Sequence, residues 1–170
     1  GKIDIDMIAG PSDITVIADT DKKTDVAMVA SDLLSQAEHD PMARAVLIAT
    51  NKDFIDDVKT EVYRQANELT DTKENALISL DKRAMAILTD DRMTAVELSN
   101  LLAPEHLELF SDEPESLLAK VKFAGSVFVG KSTPESVGDY LGGPNHVLPT
   151  NGTAKFFSPL SVDDFIKKSS

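Results

Sequence analysis

The 170-residue sequence contains no cysteine and no tryptophan. Without a thiol it has no disulfide, no thiolate metal ligand and no sulfur nucleophile, so its chemistry must rest on oxygen and nitrogen groups. Positive charge is scarce as well: 17 Lys and Arg stand against 29 Asp and Glu, a formal net charge of -12. That balance argues against nucleic acid and against an anionic membrane surface as partners, because both need clustered Lys and Arg. No apolar run approaches the roughly 20 residues that span a bilayer, and no signal peptide is apparent. The G-x-G-x-x-G turn of dinucleotide-binding folds does not follow the first predicted strand. An initiator Met is absent too. Gly1-Lys2 leads straight into Ile3-Asp-Ile-Asp, which reads as a piece of a longer chain.

What is there is an ordinary globular composition, 42% hydrophobic and 27% charged, with room for one domain and a core. Ile14-Thr-Val-Ile-Ala18 is a nearly continuous apolar run, the kind buried on both faces of a parallel sheet. Further strands are expected at 43–49, 84–88, 106–110 and 126–130. The helix after the first strand starts near Thr24 or Asp25 as cap, carries Val26, Val29, Ala30, Leu33 and Ala37 on one stripe, and ends at His39-Asp40 before Pro41. A second helix presents Phe54, Val58, Val62, Ala66 and Leu69. Asp71-Thr-Lys-Glu74 has capping-box spacing and opens a short third helix. Asp90 or Asp91 caps a helix that runs to Pro104, another helix covers 114–122, and a helical turn runs from Glu135 to Tyr140. Residues 142–170 read as an irregular tail. Strands alternating with helices predict right-handed crossovers. The expected fold is α/β: one Rossmann-like domain over residues 1–170, with a mostly parallel sheet flanked by helices and an incomplete dinucleotide fold.

Chemistry concentrates first at Leu101-Leu-Ala-Pro-Glu-His-Leu107. Pro104 keeps Ala103 from continuing a helix, and His106-Leu-Glu-Leu-Phe alternates as a strand. Glu105 and His106 therefore stand at a helix-to-strand corner, two proton-transfer groups in one environment. Gln36 and His39, three residues apart, are expected to share a helix face, with Asp32 one turn back from Gln36. An amide oxygen, an imidazole and a carboxylate from elsewhere suit a hard-to-borderline divalent ion, while a histidine in a last turn also serves simply as a cap. Asp139 ends the helical turn after the fifth strand, Ser12 lies in a Gly-Pro turn, and His146 reads as a loop-stabilising residue before Pro149. In a parallel sheet, helix C-termini and strand N-termini share one edge. Ser12, Gln36, His39, Glu105, His106 and Asp139 should thus converge on the amino edge, opposite the one that open α/β folds normally use for ligands.

Taken together, Ile8-Ala-Gly-Pro-Ser12, Asp32-Leu-Leu-Ser-Gln-Ala-Glu-His39, Pro104-Glu-His-Leu107, Ala124-Gly-Ser-Val-Phe128, Pro134-Glu-Ser-Val-Gly-Asp139 and Asn145-His-Val-Leu-Pro149 resemble the histidinol dehydrogenases. The resemblance spans almost the whole chain. It implies a cytoplasmic homodimeric enzyme that oxidises L-histidinol through L-histidinal to L-histidine with two NAD and one zinc, in the last steps of histidine biosynthesis. It also implies Gln36, His39 and Asp139 as zinc ligands that meet substrate, Ser12 as a substrate contact, and Glu105 and His106 as the catalytic pair, His106 also touching substrate. Family members are longer. A preceding domain contacts NAD, and a C-terminal tail lends the partner subunit a fourth zinc ligand, a histidine, and a substrate-binding glutamate. This stretch alone is therefore expected to be inactive.

Oxidising an aldehyde by hydride loss needs a tetrahedral adduct, and with no thiol the nucleophile must be water. That assigns water activation to Glu105 and removal of the hydroxyl proton to His106. Two rivals stand beside this reading. A zinc hydrolase would use Glu105 on a metal-bound water and would show hydrolysis independent of NAD. A non-catalytic metal-binding or dimerisation module would bind zinc with an affinity that histidinol leaves unchanged.

Overall fold

The computed structural model describes residues 5, 7, 9–167 and 169. The apolar runs form β1 (Asp13–Asp19), β2 (Arg44–Ala49), β3 (Met85–Leu88), β4 (His106–Ser111) and β5 (Ser126–Val129). All pair in parallel, in the order β3-β2-β1-β4-β5. With β1 central, the strand order reverses between β1 and β4, where Ile14 stands opposite His106 and Val16 opposite Glu108.

Helices cover both faces. On one lie α1 (Val26–Ala37), α2 (Lys52–Glu68) and α3 (Lys73–Lys82), packed on Ile14, Val16, Ala18, Leu47 and Phe110. On the other, α4 (Arg92–Leu102) and α5 (Pro114–Leu118) pack on Ile17, Val46, Ile48, Leu107 and Leu109. Side chains alternate along a strand, so His106, Glu108 and Phe110 share the α1 face of β4 while Leu107 and Leu109 take the other. A short α6 (Ser136–Tyr140) follows β5. Beyond it the chain folds back to the amino edge, where the Gly10 N–H donates to Thr150 Oγ1 at 2.6 Å. Among the described residues no helix is long and apolar enough to cross a membrane.

Local details depart from expectation in three places. Asp91 Oδ1 caps α4 by accepting from Met93 and Thr94 N–H, as its position suggests. Asp25, at the start of α1, makes no side-chain cap; its carboxylate instead takes Thr20 and Lys131 at 2.7 and 2.8 Å. The capping box at α3 does not form either: Thr72 and not Asp71 holds the cap position, without a side-chain cap bond, and its hydroxyl donates to Glu38 across the helix pair at 2.8 Å. Finally, α5 is shorter than 114–122, its last turn tightening after Leu118 through the Lys120 and Val121 N–H groups.

Phe110 anchors the first core. It is fully buried, and Lys131 Nζ lies 5.6 Å from its ring centroid. Phe110→Ala is expected to lower stability by about 3–5 kcal/mol, through lost burial and the cavity left behind. Urea unfolding of the two proteins measures it, and a difference within error would show that the site collapses around the gap.

Candidate active site at the amino edge of the sheet

The corner before β4 is built by its neighbours. Helix α4 stops at Leu102, and Ala103 turns the chain through a left-handed conformation (φ 48°, ψ 64°) while its N–H still reaches the Ser99 carbonyl at 2.8 Å. Glu105 then enters the sheet, its carbonyl accepting from Ser126 N–H at 2.8 Å. Gly125 makes that approach possible. A Cβ there would stand 2.6 Å from the Glu105 carbonyl oxygen, so a side chain would push β5 away.

Asp13, the first residue of β1, locks Glu105 by a reciprocal pair of hydrogen bonds. Its N–H donates to Glu105 Oε2 at 3.0 Å, and the Glu105 N–H donates to Asp13 Oδ1 at 3.1 Å. His106 Nδ1 lies 3.1 Å from the Asp13 carbonyl. A carbonyl only accepts, so Nδ1 carries the hydrogen and Nε2 is left as the basic nitrogen. That nitrogen lies 3.7 Å from Glu135 Oε1, while Nδ1 is 3.7 Å from Glu105 Oε2. The ring also faces Phe128, centroid to centroid at 6.0 Å. Glu105, His106 and Glu135 are all buried.

Burial raises the Glu105 carboxyl above its ordinary value; the His106 ring, the Asp13 N–H and the Ser12 hydroxyl pull the other way. Burial likewise raises Asp13, against the nearby Arg44 guanidinium. A carboxylate shifted toward neutrality is a better base than one in water. The Glu105–His106 corner therefore offers two bases of different reach, one fixed on each side of Asp13.

The predicted residues fall unevenly around this corner. Ser12 is in it: half-buried, beside Glu105, with its carbonyl taking the Arg44 N–H at 3.0 Å. Gln36 is buried in the last turn of α1, and its Oε1 has no hydrogen-bond partner among the described residues. His39 does not share that buried face. The helix ends at Ala37, and His39 lies two residues on, exposed, its N–H turned back to the Gln36 carbonyl at 3.3 Å. His146 is exposed. Asp139 lies in α6, but its side chain falls outside the described residues. Asp13, Glu108 and Glu135 were missed. Asp13 adjoins Ser12, and Glu135 stands within the Pro134-Glu-Ser stretch, so both were within reach of the motifs.

Whether these groups suit a metal turns on Gln36. A buried amide oxygen with nothing to accept from is an open donor atom. Together with an imidazole and a carboxylate it makes a set that fits zinc. The Ser35 hydroxyl donates to Glu135 Oε2 at 3.2 Å, which ties the last turn of α1 to the residue before α6. Among the described residues, no group of three or more His, Cys, Asp or Glu is placed to hold a metal ion.

The family model described as histidinol dehydrogenase matches residues 1–170. A histidinol dehydrogenase of Bacillus thuringiensis subsp. konkukian is 53% identical over 170 residues, all of this chain and 39% of its own length. One from Clostridium acetobutylicum is 50% identical over the same span, again 39% of its length. The crystal structure of histidinol dehydrogenase from Elizabethkingia anophelis superposes with a TM-score of 0.89 at 42% identity, covering 95% of this chain and 36% of that one. The chain thus spans about two fifths of the curated relatives it matches, and it belongs to the histidinol dehydrogenase family.

Proposed function

We propose that this chain supplies the water-activating carboxylate, the base and part of the metal site for the NAD-dependent, zinc-assisted oxidation of L-histidinol, through the aldehyde, to L-histidine. The observation that carries this reading is the corner itself: Glu105 and His106 are both held by Asp13, with His106 Nε2 left as the basic nitrogen.

In the alcohol step His106 Nε2 takes the hydroxyl proton. In the aldehyde step Glu105 takes a proton from water as the oxygen attacks the carbonyl carbon, and His106 again takes a hydroxyl proton as the tetrahedral hydrate collapses. When bound, NAD would supply the hydride acceptor, and Gln36, His39 and Asp139 would hold a zinc that binds the substrate. Ser12, beside Glu105, contacts substrate. In the same reading the remaining metal ligand and the NAD contacts come from the rest of the protein and the second subunit of a cytoplasmic homodimer.

The metal part of the proposal is tested in the full-length enzyme with His39→Asn. Its zinc content should fall and its KM for histidinol should rise together, because the metal is assigned to hold the substrate. Full zinc content with impaired turnover would remove His39 from the ligand set. Failure of the wild-type enzyme to form NADH from histidinol would overturn the function as a whole.

A further inference from the structure

Asp13 meets Glu105 and His106 through different atoms. His106 is held by the Asp13 carbonyl, a main-chain group that any residue at this position would supply. Glu105 is held twice, by the Asp13 N–H and by the Asp13 side chain, whose Oδ1 takes the Glu105 N–H at 3.1 Å. Only this last bond requires an acid at position 13. The side chain is buried, and a buried carboxylate is costly unless it is paired. Its other oxygen, Oδ2, lies 3.4 Å from Arg44 Nη2.

Strand register brings the three residues level. Asp13 stands opposite Arg44 in the β1–β2 pairing. Ile14 stands opposite His106, so Glu105, one residue earlier, comes beside Asp13. Arg44 also donates its main-chain N–H to the Ser12 carbonyl at 3.0 Å. A row thus runs across β2, β1 and the start of β4. It begins at a guanidinium whose side chain is 33% exposed, passes through a buried carboxylate, and ends at Glu105.

We propose that the Asp13 side chain and Arg44 are positioning residues for Glu105 that act chiefly in the aldehyde step, an assignment that rests on Glu105 activating water as proposed above. Arg44 holds Oδ2, which turns Oδ1 toward the Glu105 N–H. That bond fixes the Glu105 main chain while the Asp13 N–H fixes Oε2, and the two close a ring that sets the direction of the carboxylate. Burial pushes the Asp13 carboxyl up and Arg44 pulls it back, which keeps the stronger, ionised acceptor in place. Removing the Asp13 side chain opens half of the ring and leaves a buried N–H without its acceptor. The carbonyl that holds His106 remains. The damage should therefore concentrate in the step that uses Glu105, whereas an acid serving the fold alone would harm both steps alike.

The test uses full-length enzyme carrying Asp13→Ala, Asp13→Asn or Arg44→Gln. Asp13→Ala should slow histidinal oxidation by about 10–10²-fold, through misplacement of the base, with a smaller loss in the first hydride transfer from histidinol and little change in KM. Asp13→Asn keeps an acceptor oxygen and should recover most of the rate. Arg44→Gln, at a partly exposed site that tolerates the change, should show the same bias toward the aldehyde step in weaker form. Added to Glu105→Gln, Asp13→Ala should cost little more, because it acts through Glu105. Independently of substrate, hydrogen exchange at the Glu105 amide should be faster in Asp13→Ala than in wild type, with Asp13→Asn between them. Equal losses in the two steps, or unchanged exchange at Glu105 in the folded variants, would overturn the assignment. If Glu105→Gln leaves histidinal oxidation near wild type, the water-activating role falls, while the exchange measurement still decides whether the Asp13 side chain positions Glu105.

Discussion

Glu105→Gln in the full-length enzyme is expected to slow oxidation of histidinal by about 10²–10⁴-fold while slowing oxidation of histidinol far less. Only the aldehyde step needs an activated water, and the amide cannot accept its proton. The substitution is close to isosteric, and the Gln amide oxygen can still take the Asp13 N–H that now reaches Oε2 at 3.0 Å. The corner should therefore survive, which separates chemistry from folding. The pH profile gives a second check. Burial raises the Glu105 carboxyl above its ordinary value of 4.5. Water activation requires the ionised form, so the aldehyde step should be present above that raised value and lost as pH falls through it. In the variant this acid limb should vanish from the residual rate. Feeding the aldehyde and the alcohol separately measures both effects. Equal losses in the two steps would take the water-activating role away from Glu105.

The corner was legible in sequence because Pro104 has only local consequences. It stops α4 and leaves Glu105 and His106 at the mouth of a strand whose neighbours are apolar. The strands were legible for a related reason, since a sheet covered on both faces needs runs such as Ile14-Thr-Val-Ile-Ala18. The same property hid Glu108. In His106-Leu-Glu-Leu-Phe the alternation suggests a polar face turned to water, yet both faces of β4 are covered and every residue of it is buried. Asp13 was hidden by distance: its clamp joins residues 92 apart in sequence, and no local pattern shows that pairing. The helix-end residues lie apart from the expected shared face for a third reason. Spacing places Gln36 and His39 on one face only while the helix continues. It ends at Ala37, so the backbone turn, and not the helical period, sets where His39 lies. The capping box at Asp71 is missing because α3 starts one residue later than its spacing requires, at Lys73 with Thr72 in the cap position.

His106→Asn is expected to slow both oxidations, each by about 10²–10⁴-fold, and this separates it from Glu105→Gln. A hydroxyl proton must leave in the alcohol step and again from the hydrate of the aldehyde, and His106 Nε2 is the group assigned to both. The replacement is chosen to spare the scaffold. An Asn side-chain N–H can take over the bond that His106 Nδ1 makes with the Asp13 carbonyl at 3.1 Å, and the side chain stays short of Phe128. What disappears is the basic nitrogen opposite Glu135. Rates for histidinol and histidinal in the variant and the wild type, with thermal unfolding to confirm that each is folded, measure both losses. Near wild-type oxidation of histidinol by His106→Asn would show that the base of the alcohol step lies elsewhere.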